Sequence, residues 1–344
     1  MKRRKFLTIS IIIFSVLLTT FGFYGYQVVF SPNILVGKQT EYLLIPSNAT
    51  FAAVRDSLYK NDYIQDALSF SFLSRLMKYD RQVKPGRYRL ESNMSNLETI
   101  RLLRSGEQEP VNITFNNVRT VEELAEKITA NVEAKAEDLL RLINDPVRIS
   151  EYGFNAHTIR CMFIPNTYEV YWTITAEELF ERMKMEYDRF WNEERLKKAM
   201  ELRLTPPEVI ILASIVEAET NKAEEAPVVA GLYINRLRLG MPLQADPTLK
   251  YAANDFTIRR VLNVHKEIDS PYNTYKYAGL PPGPINLPPV PVIDAVLNHQ
   301  KHKYLYMCAR EDFSGYHNFT SSLTEHLNNA RKYQRALNQA RLFK

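Results

Sequence analysis

Hydrophobic and polar positions divide the chain into three regimes. The first runs from Phe6 to Phe30 and contains no charged residue, which is long enough to cross a bilayer as a helix. The second alternates short patterns. Tyr42-Leu43-Leu44-Ile45 reads as a strand, Pro46 to Thr50 as a turn with Thr50 as a helix N-cap, and Phe51–Lys60 and Ala67–Tyr79 carry a helical period. Lys84-Pro85-Gly86 turns into a strand over Arg87–Leu90. Ser92 to Ser95 precedes a helix Asn96–Arg104, with Gly106 as its C-cap signal. A strand Val111–Phe115 follows, then a capping box Thr120-x-x-Glu123 before a helix Val121–Asn131. A helix Ala134–Leu142 is ended by Asn144-Asp145-Pro146.

The third regime is more apolar. Phe163 to Trp172 is an aromatic, strand-like stretch, and Thr175 caps an amphipathic helix Ala176–Trp191 that continues over Glu193–Leu202. Thr205, with Pro206 at the first helical position, opens a helix that is apolar all round from Val209 to Val216. Such a helix is buried. It carries Glu217 and Glu219, which a helix turns roughly 200° apart, so they point to opposite sides. Ala213 and Ser214 are small enough to leave space beside Glu217. Glu225-Ala226-Pro227 starts another helix, Val228–Leu239, closed by Gly240, and Asp246 before Pro247 is an N-cap for a helix reaching Tyr251. Ser270 to Pro291 is rich in Pro, Tyr, Asn and Gly, a stiff irregular segment. A helix Asp294–His299, a strand Tyr304–Ala309 and an amphipathic helix Ser322–Leu342 complete the pattern.

Charge changes this picture at one place. The net charge is +5, and Lys2, Arg3, Arg4 and Lys5 supply +4 of it, leaving about +1 for the rest. That balance gives no broad basic face and argues against nucleic acid as a partner. The basic cluster before Phe6 orients the apolar segment with its N-terminus in the cytoplasm and the bulk of the chain outside. A cleaved signal peptide is the rival; the bulky Phe23, Tyr24, Tyr26 and Phe30 at the end of the segment favour an uncleaved anchor. Cys161 and Cys308 each sit in an apolar run and are expected to be unpaired core residues rather than one disulfide.

Among candidate chemistries, a lone general acid stands out. Carboxylates are seldom buried without a reason, and Glu217 follows the apolar run directly. An apolar wall raises a carboxyl pKa toward the range a general acid needs. Against this stands the plain alternative that a helical Glu is solvated or paired with a nearby cation. His299-x-x-His302, His317 and His326 lack zinc-hydrolase spacing, so no metal is expected. No nucleophile elbow or phosphate-binding loop is present, so no cofactor is expected. Aromatic faces and short polar groups suit a sugar cleft. Gln244 has no local structural role and so rates as a ligand contact, whereas Asp246 has its capping role as an alternative.

SIVEAET, then VVAGLYINRLRLGMPLQADPT, then SPYNTYKYAGLPPGPI resemble the endolytic murein transglycosylases, the YceG-like family. Pro165-Asn166-Thr167-Tyr168 and His317-Asn318-Phe319 resemble two further family elements. The resemblance implies an α+β chain: a cytoplasmic tail 1–5, a transmembrane anchor 6–30, a LysM-like module 41–108 with strand, two helices and strand, and a mainly helical catalytic domain 111–344 with lysozyme-like active-site logic. It makes Glu217 the catalytic residue. Asn166, Tyr168, Glu219, Asn235, Gln244, Asp246, Tyr272, Asn273, Thr274 and Tyr275 are the substrate-binding candidates that follow from its motifs. The implied substrate is the peptidoglycan glycan strand, cut between N-acetylmuramic acid and N-acetylglucosamine to leave a 1,6-anhydro end. The implied location is the cytoplasmic (inner) membrane with the catalytic domain outside, and peptidoglycan synthases are implied partners, though no motif for that contact is visible. A conventional muramidase, with two carboxylates, and a non-catalytic peptidoglycan-binding scaffold are the alternatives.

Overall fold

The computed structural model describes residues 2–37, 40–258 and 260–339. Two compact units emerge. The first holds the residues up to Asn112 together with Asn131–Glu133 and Glu169–Ile174; the second holds Ile113–Ala130, Ala134–Tyr168 and everything from Thr175.

The first unit begins with a helix Lys2–Phe30 that is exposed from residue 3 to residue 27 and long and apolar enough to cross a membrane. Only its last turn enters a core, through the buried Val28. That core sits under an antiparallel pair, β1 (Glu41–Ile45) and β2 (Gly86–Leu90), with Leu43 opposite Tyr88. Alternation does what the pattern requires: Leu43 and Ile45 face in with Tyr88 and Leu90, while Leu44 is exposed. Helices Phe51–Lys60 and Ala67–Leu76 connect the two strands, and Asn96–Ser105 follows with a complete Ser95/Glu98 capping box and Gly106 in the left-handed region at φ 78°. The buried Asn96 ties the end of the first helix to this core, donating to Val28 O at 2.9 Å and Ser69 Oγ at 3.0 Å while accepting from Asn33 at 2.6 Å. The two late segments are attached by hydrogen bonds: Glu133 accepts from Ser47 N at 2.8 Å, and its own N–H donates to Trp172 O at 2.7 Å.

In the second unit a helix Pro206–Glu219 runs through the core, buried without a break from Val209 to Val216. Thr205 and Glu208 close a full capping box at its start. Helices Ala226–Arg238, Asp246–Ala252, Val290–Leu297 and Glu193–Leu202 pack around it. Gly231 permits one close approach: a Cβ there would lie 2.3 Å from Gln300 O. Further helices, Val121–Thr129, Ala136–Ile143 and Ala176–Phe190, pack in series. The strands are short. β3 (Val111–Thr114) pairs with β4 (Thr167–Val170), two strands whose residues are divided between the units, and within the second unit β5 (Tyr306–Ala309) pairs with β6 (His317–Thr320) in an antiparallel hairpin covered by the helix Leu323–Gln339. The expected continuation of that helix to Leu342 lies outside the described residues.

Several expectations change. Pro146 does more than end a helix; with Asp145 capping Val147 and Arg148, it starts a short one, Pro146–Glu151. The aromatic stretch Phe163–Trp172 is strand only over Thr167–Val170, because a 3-10 turn, Ile159–Met162, carries the chain into it. The helix expected from Asp294 begins at Val290, since Pro291 fits its first turn. At Thr120 the box is only half closed: Thr120 Oγ1 accepts from Glu123 N at 3.1 Å, but Glu123 turns to Arg119 N at 2.9 Å. Asp246 does not cap its helix; it is the first helical residue, Ala245 stands at the N-cap, and the Asp246 carboxylate takes the Tyr275 hydroxyl instead. Cys161 and Cys308 are both free thiols.

Candidate active site

The last turn of the central helix leaves the core and delivers Glu217 to the wall of a cavity of about 560 Å³. Ser214, one turn earlier, is not an open space beside it. Its buried hydroxyl donates to Ile211 O at 2.7 Å and accepts from Ile285 N at 3.1 Å. That bond fixes the loop carrying Ile285 and Asn286, which line the cavity with Pro289. The other sides come from Asn117 and Arg119, from Asn221 and Lys222 after the helix, and from Lys250, Tyr251 and Phe256.

Glu217 is the single carboxylate among the described residues of this wall. Its Oε2 is buried and has no hydrogen-bond partner. Burial pushes its pKa up to about 7, with Arg119 pulling the other way. A carboxyl with a pKa near 7 holds its proton in a substantial share of molecules at neutrality and can both donate and accept there. Asn286, 8 % exposed, also leaves its side-chain oxygen buried without a partner at the same wall. Buried polar atoms are seldom left unpaired, and two such acceptors on residues lining one cavity set this site apart.

Arg160 organises the cavity from behind. It is buried, and its guanidinium donates to the carbonyls of Arg119 and Pro284 and to the Tyr251 hydroxyl at 2.8 Å. One side chain thereby holds three segments of the wall.

Glu219 opens elsewhere, into a second cavity of about 270 Å³ shared with Tyr233, Gln244, Asp246, Tyr275 and His326. It accepts from Tyr233 Oη at 2.8 Å. Burial raises its pKa to about 7, and Asp246 adds to the rise while Lys250 and Arg236 oppose it. Gln244 takes the left-handed conformation at φ 51° and donates its N–H to Thr274 O at 3.0 Å.

The remaining sequence candidates lie in neither cavity. Asn166 is exposed and accepts from Thr167 N at 2.8 Å. Tyr168 is buried, stacks on Phe115 at 5.8 Å and donates to Ile164 O at 2.5 Å. Asn235 donates to His302 O and Tyr304 O at 2.8 and 3.1 Å. Asn273 is fully buried and organises its own loop through Lys266 O, Ile268 O and the N–H groups of Tyr275 and Lys276. Thr274 accepts from Ala245 N at 3.0 Å and shares a bond with Thr248. Tyr272 packs on Tyr251 at 4.7 Å, one layer behind the first cavity. The sequence reading missed Arg119, Asn286, Lys222 and Lys250; the one local signal was Asn117, whose φ of 47° marks the tight turn that carries Arg119.

The YceG-like family model matches residues 43–332. Two curated relatives are named endolytic murein transglycosylase. That of Streptococcus pneumoniae is 27% identical over 342 residues, covering 89% of this chain and 61% of the relative. That of Bacillus subtilis is 28% identical over 317 residues, covering 88% and 87%. The chain therefore spans about three fifths of the length of the pneumococcal protein. A crystal structure of a YceG-like protein from Listeria monocytogenes superposes with a TM-score of 0.55 at 25% identity, over 85% of this chain and 99% of that one.

Proposed function

We propose, on the premise that this chain belongs to the YceG-like family, that it is an endolytic murein transglycosylase anchored in the cytoplasmic membrane, with Glu217 as its acid and base. The observation that carries the reading is the Glu217 carboxyl, alone of its kind among the described residues of the cavity wall, with one oxygen buried and unpaired and a pKa of about 7.

The chemistry then needs no second carboxylate. Protonated Glu217 donates to the oxygen joining C1 of N-acetylmuramic acid to O4 of N-acetylglucosamine. The C1–O4 bond breaks and the leaving sugar keeps the proton as its 4-hydroxyl. The carboxylate so formed takes the proton of the muramic acid 6-hydroxyl, whose oxygen closes on C1. Glu217 returns to its starting state, a 1,6-anhydro end is made, and no water is consumed. The unpaired Asn286 amide is suited to a sugar hydroxyl or acetamido group. A conventional muramidase would need a base or nucleophile facing the same bond, and Glu219 opens into the other cavity.

The apolar helix near the N-terminus supports the membrane anchor, and the basic residues before it support a catalytic domain outside the cytoplasm. On this reading the β1–helix–helix–β2 arrangement acts as a LysM-like glycan holder, and the enzyme ends nascent strands beside the synthases. The test is mass spectrometry of sacculus digests. Anhydro-muramyl ends are expected; reducing muramic ends would make the protein a hydrolase, and undigested sacculi would make it a scaffold.

A further inference from the structure

The wall around Glu217 has an electrostatic bias that acid–base chemistry does not require. Arg119, Lys222 and Lys250 all line the cavity, and Glu217 is the only carboxylate that lines it among the described residues. None of these cations makes a salt bridge among the described residues, whereas Arg148, Arg195 and many surface cations are paired. Arg119 instead lies over the Phe256 ring at 4.5 Å and Lys222 over the Tyr316 ring at 4.7 Å, contacts that orient a cation without neutralising it. Apart from Glu217, the described lining of the cavity carries three positive charges and no negative one, while Glu123, Glu224 and Glu219 act on Arg119, Lys222 and Lys250 from outside it. Like charges lining one cavity repel, and an anion from the ligand relieves that repulsion.

We propose that this cavity selects glycan carrying a carboxylate beside the scissile bond, with Lys222 and Lys250 as specificity-determining residues and Arg119 serving both the ligand anion and the Glu217 carboxyl. The proposal rests on the transglycosylase reading and names what that site recognises. The carboxylate has two sources with the same chemistry: the peptide stem on intact strands, or the lactyl group of muramic acid on strands stripped of stems. Neutral glycan offers these cations no ion-pair partner. Lys222 and Lys250 belong to different segments, after the central helix and within Asp246–Ala252, so the anion would bridge two walls of the cavity.

The experiment measures binding by calorimetry, using the full chain in detergent with Glu217→Gln to prevent turnover. The probes are stem-bearing strands, amidase-stripped strands, and stripped strands whose lactyl carboxylates have been converted to methyl amides. Lys222→Met with Lys250→Met should weaken binding of a charged strand roughly 5- to 20-fold, as expected for two partly solvated charge pairs, and leave the neutral strand unchanged. Lys→Arg at both positions should restore the charged strand. Raising salt should weaken binding of charged strands to the unsubstituted wall and spare the neutral one. Loss on stem-bearing strands alone assigns the anion to the stem, loss on stripped strands alone assigns it to the lactyl carboxylate freed by the amidase, and loss on both means that either source reaches the lysines. Equal affinity for charged and neutral strands, before substitution and at low salt, overturns the proposal; because it needs no lysine variant, this comparison stands if the variants fail to fold. If the enzyme with Glu217 intact releases no anhydro ends from any strand, the transglycosylase reading fails instead.

Discussion

Glu217 and Glu219 stand two residues apart on one helix and open into different cavities, the first with an unpaired buried oxygen and the second hydrogen-bonded by Tyr233 at 2.8 Å. Both have pKa values near 7, each raised chiefly by burial. A perturbed pKa alone therefore does not separate acid from structural carboxyl. Hydrogen bonding does: Glu219 is engaged within the protein, while Glu217, which lines the first cavity, keeps its buried Oε2 without a partner.

Replacing Glu217 by Gln keeps the shape and removes the titrating proton. General acid–base assistance is worth about 10²–10⁴-fold, and one residue carrying both proton transfers should cost at least that in anhydro-muropeptide release. Glu219→Gln should cost far less, since the amide still accepts from Tyr233. Release close to normal in Glu217→Gln, or a larger loss in Glu219→Gln at equal melting temperature, would show that the acid is the wrong one.

The same substitution has a signature in stability. The folded pKa of Glu217, about 7, lies above the ordinary glutamate value of 4.5. Below pH 4.5 both folded and unfolded forms are protonated and the group is neutral to stability. Between these values the folded form holds a proton that the unfolded form has lost, so stability falls as pH rises. Above about pH 7 the full penalty applies, on the order of 1–3 kcal/mol for this partly buried group. Glu217→Gln removes that penalty and should melt higher than the parent at pH 8, with the gap closing by pH 4. A gap independent of pH would contradict a raised Glu217 pKa.

The central helix was legible because two signals coincide: Thr205-Pro206-Pro207-Glu208 dictates its start, and unbroken apolar character from Val209 to Val216 can only be buried. The opposite directions of Glu217 and Glu219 follow from helical geometry alone. What surrounds Glu217 was not legible. Arg119, Lys250 and Asn286 come from turns and loops widely separated in sequence, brought together by bonds such as Ser214 to Ile285 and Arg160 to Pro284 that carry no periodic signature. Asn235, Asn273 and Thr274 show the converse. Polar residues in a recognisable motif invite a ligand role, yet in this fold they spend their donors and acceptors on the backbone of their own walls. Short polar side chains do both jobs, and only the path of the chain distinguishes them.

Topology is checked with a reporter fused after Lys344. Activity is expected outside the cytoplasm, because Lys2 to Lys5 precede the apolar helix. Neutralising those residues should weaken the orientation bias without changing turnover by correctly inserted molecules. A fusion active in the cytoplasm would overturn the proposed orientation.

Arg160 should act on catalysis through the wall it holds. Arg160→Lys keeps a charge but has no planar fork, so it cannot reach the carbonyls of Arg119 and Pro284 and the Tyr251 hydroxyl together. Each buried acceptor left unmet costs about 1–3 kcal/mol, so some loss of stability is expected and by itself means little. The discriminating measurement is the pH profile of kcat/KM. Arg119 holds the Glu217 pKa down from where burial alone would set it. If Arg160 keeps Arg119 in place, loosening it should move the alkaline limb of the profile to higher pH and lower kcat roughly 10-fold or more, as misplacement at a reacting centre does. Arg119→Met should move the limb the same way without the stability loss, because Arg119 is exposed. An Arg160→Lys enzyme that is less stable but keeps the parent pH profile and kcat would reduce Arg160 to a purely structural residue.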